Sequence, residues 1–207
     1  MQISCIVLAG GESLRLGRDK VLETIGNTSL LERVVFCLSF FDSDIIIVTA
    51  NQRSLPQFTG HPKLKIMADI YPGKGSLGGI YSGLVASASP YNLVVASDMP
   101  FLNRALLRYM IQLSGDFDVV APRLGDLVEP LHTVYSKGCL ATIESMLKQG
   151  NLSVHQLFTR VRVRYVEDEE ISQFDPEHLS FFNVNTEADL RMARELAGEG
   201  EITGANC

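Results

Sequence analysis

Short apolar runs alternate with segments of helical periodicity over about the first 120 residues of the chain. Unbroken runs of about four to eight apolar residues are typical of strands that are buried on both faces of a sheet. Such runs predict strands at Ile3–Ala9, Asp44–Thr49, Leu93–Ser97 and Asp118–Ala121, and a further short strand is predicted at Lys63–Met67. Apolar residues three or four positions apart predict the helices between them, at Ser29–Phe41, Leu77–Ala88 and Asn103–Leu113.

The pattern becomes more polar in the second half of the chain. It predicts two longer strands and the helix between them, at Val128–Tyr135, Arg160–Val166 and Gly138–Lys148. A last strand is predicted at Ser180–Val184 and a last helix at Thr186–Leu196. Residues 198–207 are rich in glycine and polar side chains, so we expect one domain over residues 1–197 and a flexible tail after it.

The alternation of strands and helices predicts an α/β fold. It favours a three-layer, Rossmann-like arrangement in which helices cover both faces of a mainly parallel, doubly wound sheet. In such sheets the ligand site lies at the carboxyl ends of the strands. The glycine-rich and charged motifs of this chain fall at those ends.

The net charge of the chain and the position of its basic residues indicate which ligands it can bind. The 207 residues carry a formal net charge of −6, which argues against a nucleic-acid partner. Arg15, Arg18 and Lys20 nevertheless lie close together in one loop, which suits a small anionic ligand. No apolar run reaches the roughly 18 residues of a membrane span, and Ile3–Ala9 is interpreted as a first strand rather than a signal peptide. We therefore expect a cytoplasmic protein without a membrane partner.

The first motif follows the first strand and reads LAGGESLRLGRDK, from Leu8 to Lys20. Gly10 and Gly11 allow the backbone to approach a ligand closely, and inward N–H groups of such a loop bind phosphate oxygens. Arg15 and Lys20 add positive charge for the same purpose. The spacing matches neither GxGxxG nor GxxxxGK[ST]. An ordinary turn with solvated charges explains any single residue, whereas the whole set favours phosphate binding.

Three further motifs follow later strands. Asp98 in Ser97-Asp98-Met99-Pro100 is placed to hold Mg²⁺ against nucleotide phosphates, or alternatively to cap the next turn. Asp69 begins a second glycine-rich loop that could approach a base or ribose. Asn183 and Asn185 either form a turn or orient phosphate or metal ligands.

Together these motifs resemble those of the molybdenum cofactor guanylyltransferase family. The resemblance extends to about Ala197 and implies a fold of the nucleotide-diphospho-sugar transferase type. Its members with guanylyl activity carry LAGG where cytidylyl relatives usually carry LAAG, so Gly10 and Gly11 favour GTP. The matching stretches are Leu8–Lys20, Asp69–Ile80, Ser97–Pro100 and Phe182–Leu190, with weaker matches at Glu129–Tyr135 and Lys148–Phe158.

The resemblance also implies residue roles on the nucleotide side. Asp69 and Gly78 would help to bind the nucleoside of GTP. The residues that would contact the guanine nucleotide in the first motif are Leu8, Ala9, Gly10 and Gly11.

At the reacting phosphates, the resemblance implies three catalytic residues. Arg15 and Lys20 would bind the phosphates of GTP, and Asp98 would bind GTP through Mg²⁺ near the α-phosphate. Asn183 and Asn185 would lie near the acceptor or complete the phosphate end of the site.

The implied reaction moves GMP from GTP to the terminal phosphate of molybdopterin or Mo-molybdopterin, with release of pyrophosphate. A phosphate nucleophile is already ionised at neutral pH, so no general base is expected. A protein that delivers molybdopterin is a further expected partner. The alternatives are a cytidylyltransferase on the same pterin, a sugar-phosphate nucleotidyltransferase, and a nucleotide-binding adaptor without catalysis.

Overall fold

A sheet with helices on both faces forms the frame of the chain. The computed structural model describes residues 2–10, 22–50, 55, 58 and 61–200. The strands are β1 Ile3–Leu8, β2 Thr24–Ile25, β3 Thr28–Ser29, β4 Asp44–Thr49, β5 Leu64–Ala68, β6 Tyr91–Ala96, β7 Val119–Leu124, β8 Leu127–Val128, β9 His132–Ser136 and β10 Val163–Glu167. The helices are α1 Leu30–Leu38, α2 Gly75–Ala86, α3 Arg104–Gln112, α4 Leu140–Lys148, α5 Val154–Phe158, α6 Asp168–Ile171 and α7 Glu187–Gly200.

The order of the main sheet is β10-β7-β9-β6-β1-β4-β5, and β8 pairs with β7. Strand β9 runs antiparallel to both of its neighbours, whereas the other neighbours along this order pair in parallel. From β1 the chain passes to β4 and β5 on one side, then returns to β6 on the other. The predicted mainly parallel, doubly wound sheet is confirmed.

Alternate residues of the central strands pack into different cores, as their period of two requires. Cys5 and Val7 of β1 pack with residues of α1 and α3. Ile6 of β1 packs on the opposite face with α2 and α4. Both faces of β1 are therefore buried, which explains its unbroken apolar sequence.

Helix α2 lies so close to β1 that one of its turns needs glycine. A Cβ atom added to Gly83 would lie 2.5 Å from Cγ2 and 2.9 Å from Cδ1 of Ile6, whose side chain is fully buried. We expect Gly83→Ala to lower the free energy of unfolding by about 1–3 kcal/mol, because the buried core must shift. Urea unfolding followed by circular dichroism measures this change.

A second helical glycine is the matched control for this prediction. A Cβ atom added to Gly198 of α7 would meet no described atom within 4 Å. Gly198→Ala should therefore be neutral or raise the free energy of unfolding by up to about 1 kcal/mol. Equal effects of the two substitutions would contradict the close packing of α2 on β1.

The predicted strand Val128–Tyr135 is wrong as a single element, since a turn divides it into β8 and β9. Pro130 has no N–H group to donate to a sheet. The carbonyl oxygen of Glu129 accepts hydrogen bonds from Oγ1 of Thr133, at 2.7 Å, and from the N–H of His132, at 3.4 Å. The turn brings Glu129 to the carboxyl-end edge of β6, because β9 is antiparallel to β6.

The predicted strand Ser180–Val184 is also wrong, because its hydrogen bonds go elsewhere. Residues Leu179–Phe181 form a 3-10 turn. The carboxylate of Asp175 accepts hydrogen bonds from the N–H groups of Leu179 and Ser180, at 3.1 and 2.8 Å. The N–H of Val184 donates to the carbonyl oxygen of Asp98, at 3.0 Å. The segment is thereby held against the end of β6 without joining the sheet.

Helix α7 continues to Gly200 and so enters the segment that was predicted as a tail. Residues 201–207 lie outside the described residues, and the flexible tail stays a prediction. Across residues 2–10, 22–50 and 61–200, no helix combines the length and apolar character needed to cross a membrane.

Candidate functional site

A cavity of about 590 Å³ opens at the carboxyl ends of the central strands. This volume is within the range of small-ligand sites. Its position agrees with the general location of ligands in doubly wound sheets. It is lined by Leu8, Gly10, Val48, Thr49, Ala50, Asp69, Gly73, Gly75, Ser76, Gly79, Ala96, Ser97, Asp98, Glu129, Leu131, Asn183 and Asn185.

Parallel pairing brings the first motif and the Asp98 motif to the same edge. Leu8 is in register with Val48 of β4 and with Ala96 of β6. Just beyond these pairs, the N–H of Ala9 donates to the carbonyl oxygen of Val48 at 2.8 Å. The N–H of Ser97 donates to the carbonyl oxygen of Leu8 at 3.2 Å. Of the predicted residues here, Leu8 lines the cavity, whereas Ala9 is buried and is not among the lining residues.

Asp69 follows β5 and lines the opposite end of the cavity from β6. Its N–H donates to the carbonyl oxygen of Thr49, at 2.7 Å. Its Oδ1 accepts hydrogen bonds from Tyr71 N–H, at 2.9 Å, and from Ser82 Oγ, at 2.6 Å. One carboxylate oxygen therefore holds the second glycine-rich loop against α2, which adds a structural role to the predicted nucleoside contact.

Gly78 allows this loop to pack on the first turn of α2. A Cβ atom added there would lie 2.9 Å from the carbonyl oxygen of Tyr71 and 3.1 Å from Cβ of Lys74. Gly78 is buried behind the cavity wall, which Gly75 and Gly79 help to form instead. Its predicted contact with GTP stays a prediction.

Asp98 lies at the end of β6 with 7% of its surface exposed, and it lines the cavity. Asn183 and Asn185 flank Val184, whose N–H donates to the carbonyl oxygen of Asp98. The side chain of Asn183 donates to the carbonyl oxygen of Phe181, at 3.1 Å. The structure thus brings the Asp98 motif and the asparagine motif together, although about 85 residues of sequence separate them.

Glu129 lines the same cavity and was not among the predicted site residues. Burial raises the pKa of its carboxyl group, the N–H of Leu131 lowers that pKa, and the nearby Asp98 carboxylate raises it. His155 opposes part of this rise in pKa. The sequence did contain one indication of Glu129, since the weaker family match Glu129–Tyr135 begins with this acid followed by Pro130.

Three predicted residues, Gly11, Arg15 and Lys20, lie outside the described residues. Their phosphate-binding roles stay predictions. Gly10, the last described residue before them, lines the cavity, so the first motif enters the site at this point.

The donor chemistry of the cavity fits a magnesium ion. Mg²⁺ prefers oxygen ligands and usually takes one or two carboxylates together with waters and substrate phosphates. Asp98 supplies a carboxylate, and Ser97, Asn183 and Asn185 supply further oxygens around the same cavity. Within the described residues, no group of three or more histidine, cysteine or acidic side chains could hold a metal by itself. An ion here would therefore depend on a phosphate-bearing substrate for part of its coordination.

Comparisons with known proteins agree with this architecture. The family described as MobA-like NTP transferase domain matches residues 5–166. A protein of Pelotomaculum thermopropionicum named "Probable molybdenum cofactor guanylyltransferase" is 37% identical over 204 residues, covering 99% of this chain and 97% of that protein. The molybdenum cofactor guanylyltransferase of Desulfosudis oleivorans is 31% identical over 203 residues, covering 97% and 98%.

A solved structure shares the whole fold. The molybdopterin-guanine dinucleotide biosynthesis protein A of Archaeoglobus fulgidus has a TM-score of 0.81 and 28% identity, covering 95% of this chain and 99% of that one. The sheet is accordingly of the nucleotide-diphospho-sugar transferase type, as predicted. On the family match over residues 5–166 and on relatives at 37% and 31% identity along nearly its whole length, the chain belongs to the MobA-like NTP transferase family.

Proposed function

We propose that the chain transfers GMP from GTP to the terminal phosphate of molybdopterin, forming molybdopterin guanine dinucleotide and pyrophosphate. The observation that carries the proposal is that one cavity is lined by Leu8, Gly10, Asp69, Asp98, Asn183 and Asn185, which come from the ends of β1, β5 and β6 and from the asparagine motif. The names of the full-length relatives support the guanylyl group and the pterin acceptor. We place this activity in the cytoplasm.

The order of the strands suggests how the substrates lie. Asp69 and Asp98 follow β5 and β6, which are three strand intervals apart, or about 14 Å. The nucleoside of GTP would occupy the β4 and β5 end, and its phosphates would reach the ends of β1 and β6. The acceptor phosphate would then approach from the side of Asn183 and Asn185.

Positioning and electrostatics carry the reaction in this proposal. An oxygen of the acceptor phosphate attacks the α-phosphorus of GTP, a new P–O bond forms, and the bond to the leaving pyrophosphate breaks. The attacking oxygen is already ionised, so the chain needs no general base. Arg15 and Lys20 would bind the phosphates, which lowers the repulsion between the two anions.

Asp98 would hold Mg²⁺ against the phosphates of GTP. When bound, the ion supplies charge that stabilises the leaving pyrophosphate and orients the phosphate chain. Asn183 and Asn185 would orient the acceptor phosphate, because the hydrogen bond between Val184 and Asp98 fixes them beside this carboxylate. Molybdopterin itself, with or without molybdenum, would reach the site from a delivering protein.

Base choice tests the proposal. We expect pyrophosphate release with GTP to be at least about tenfold faster than with ATP, CTP or UTP, in the presence of Mg²⁺ and molybdopterin. A coupled assay for pyrophosphate measures the four rates under identical conditions. Preference for CTP would identify the chain as a cytidylyltransferase. Faster turnover with a sugar phosphate than with molybdopterin would contradict the proposed pterin acceptor. Binding of GTP without any turnover would favour a non-catalytic adaptor.

A further inference from the structure

The turn between β8 and β9 holds a carboxylate in the cavity with a fixed backbone. The N–H of Glu129 donates to the carbonyl oxygen of Pro122, at 3.2 Å. Its own carbonyl oxygen accepts the 2.7 Å hydrogen bond from Thr133 Oγ1. Both hydrogen bonds involve main-chain atoms of Glu129. They fix the position of its backbone and leave its carboxylate available for other contacts.

The strand order places Glu129 on the acceptor side of the cavity. Strand β9 is the neighbour of β6 on the side away from β1, and the carbonyl oxygen of Leu131 accepts a hydrogen bond from the N–H of Ala96. Asp98 therefore lies between Glu129 and the nucleotide side. A substrate group that reaches Glu129 belongs to the molecule that approaches from beyond Asp98.

The Glu129 carboxylate has acceptor capacity that the described residues leave unused. Among these residues its hydrogen-bond partner is the N–H of Leu131, at 3.5 Å, which is a long and weak contact. The group is only partly exposed, so water replaces the missing partners less well than at the surface. Two carboxylate oxygens side by side are suited to accept two adjacent N–H donors.

The charge of Glu129 excludes an acceptor phosphate as its own contact, because two anions repel. A pterin, in contrast, carries a ring N–H beside an exocyclic amino group on its 2-amino-4-oxo-pyrimidine edge. This pair of adjacent donors complements a carboxylate in the bidentate way that guanidinium groups do.

We propose that Glu129 is a specificity-determining residue that accepts hydrogen bonds from the 2-amino-4-oxo edge of the pterin acceptor. The inference rests on the proposed function for the identity of the acceptor and adds the group that recognises its ring. Asn183 and Asn185 would orient the phosphate end of the same molecule. The site would thereby select the acceptor at both ends.

Kinetics with one substitution tests this assignment. Glu129→Gln keeps the shape of the side chain but replaces one carboxylate oxygen by an NH₂ group. This hydrogen-bond donor would face an N–H donor of the pterin. We expect the KM for molybdopterin to rise by roughly tenfold to a hundredfold, the loss of one charge-assisted hydrogen-bonding group. The KM for GTP and the Mg²⁺ concentration for half-maximal rate should change by less than about twofold.

Glu169→Gln is the matched control, since Glu169 is an exposed acid on α6 outside the cavity. It changes the net charge equally and should leave all three parameters as in the wild type. A Glu129→Gln variant whose molybdopterin KM is unchanged would overturn the inference. So would a variant in which the main effect falls on GTP, or on the Mg²⁺ requirement.

Direct binding separates this inference from the proposed function. Pterin fluorescence titrations should show tighter binding of pterin than of lumazine, which has an oxo group in place of the 2-amino group. Glu129→Gln should abolish that preference. Active wild-type enzyme that binds both rings equally would overturn the role of Glu129 and leave the proposed function in place. A Glu129-dependent pterin preference without guanylyl transfer would support the role and reject the function.

Discussion

Replacing Asp98 by alanine or asparagine is expected to reduce pyrophosphate release from GTP by a factor on the order of 10³ or more. The carboxylate is nearly buried at the end of β6, on the wall of the cavity. Its loss would remove the proposed protein ligand of Mg²⁺, and bound metals stabilise developing charge by several kcal/mol. Steady-state assays with GTP and molybdopterin measure the loss, and Mn²⁺ titration followed by electron paramagnetic resonance measures metal binding.

The fold should survive this substitution. The hydrogen bond that ties the asparagine motif to this position uses the carbonyl oxygen of Asp98, which every residue retains. Circular dichroism and thermal unfolding of Asp98→Asn should therefore resemble the wild type. Asp126→Asn, in an exposed turn after β7, is the control for the change of charge. Near-normal turnover of the Asp98 variants would remove this carboxylate from the mechanism.

The second large effect is a loss of stability in acid that depends on His132. The imidazole is fully buried and lies 4.8 Å from the ring of Phe181, measured between centroids. Burial lowers its pKa to about 3, whereas an unfolded histidine titrates near pH 6.5. Below about pH 6.5 the unfolded chain thus binds a proton that the folded chain does not. The free energy of unfolding must then fall as the pH falls from about 6.5 to about 3.

At pH 4.5 this single group should lower the free energy of unfolding by about 2–3 kcal/mol relative to neutral pH. Urea unfolding of the wild type and of His132→Phe at pH 7.5 and 4.5 measures the effect. The stability difference between the two proteins should shift by that amount in favour of the variant at pH 4.5. A His132 ring that titrates near pH 6.5 in nuclear magnetic resonance spectra of the folded protein would contradict the prediction.

Strand ends were predictable because buried parallel strands have an unmistakable sequence. Val94 and Val95 are buried on opposite faces of the sheet. The abrupt change from apolar to polar residues at Ser97 and Asp98 therefore marks the end of the strand. Asp69 was located differently, because it begins the glycine-rich loop that follows β5. Pattern alone therefore located Asp98 and the two glycine-rich loops, whereas the roles of Leu8, Ala9 and Gly78 were implied by the resemblance.

The second half of the chain was harder to predict, because side-chain hydrogen bonds to the backbone, rather than hydrophobic periodicity, determine its conformation. Asp175 satisfies two N–H groups of the segment that was predicted as the last strand, and no local pattern distinguishes this from sheet pairing. Glu129 was missed for a related reason. A continuous strand would have placed it within the sheet, whereas the turn at Pro130 places it in the cavity.

Because β9 runs antiparallel to β6, the turn before β9 adds Glu129 to the same edge of the sheet as Asp98. The residues proposed to select the acceptor and those proposed to select the nucleotide thus lie in different parts of the sequence. In the proposed binding mode, residues within 48–50 and 69–79 line the nucleoside end of the cavity, and residues within 96–131 and 183–185 line the acceptor end. Different stretches of the sequence therefore encode the two ends. Exchanging residues 8–11 together with residues 61–86 for those of a relative that uses another base should transplant the choice of nucleotide and leave the choice of acceptor unchanged.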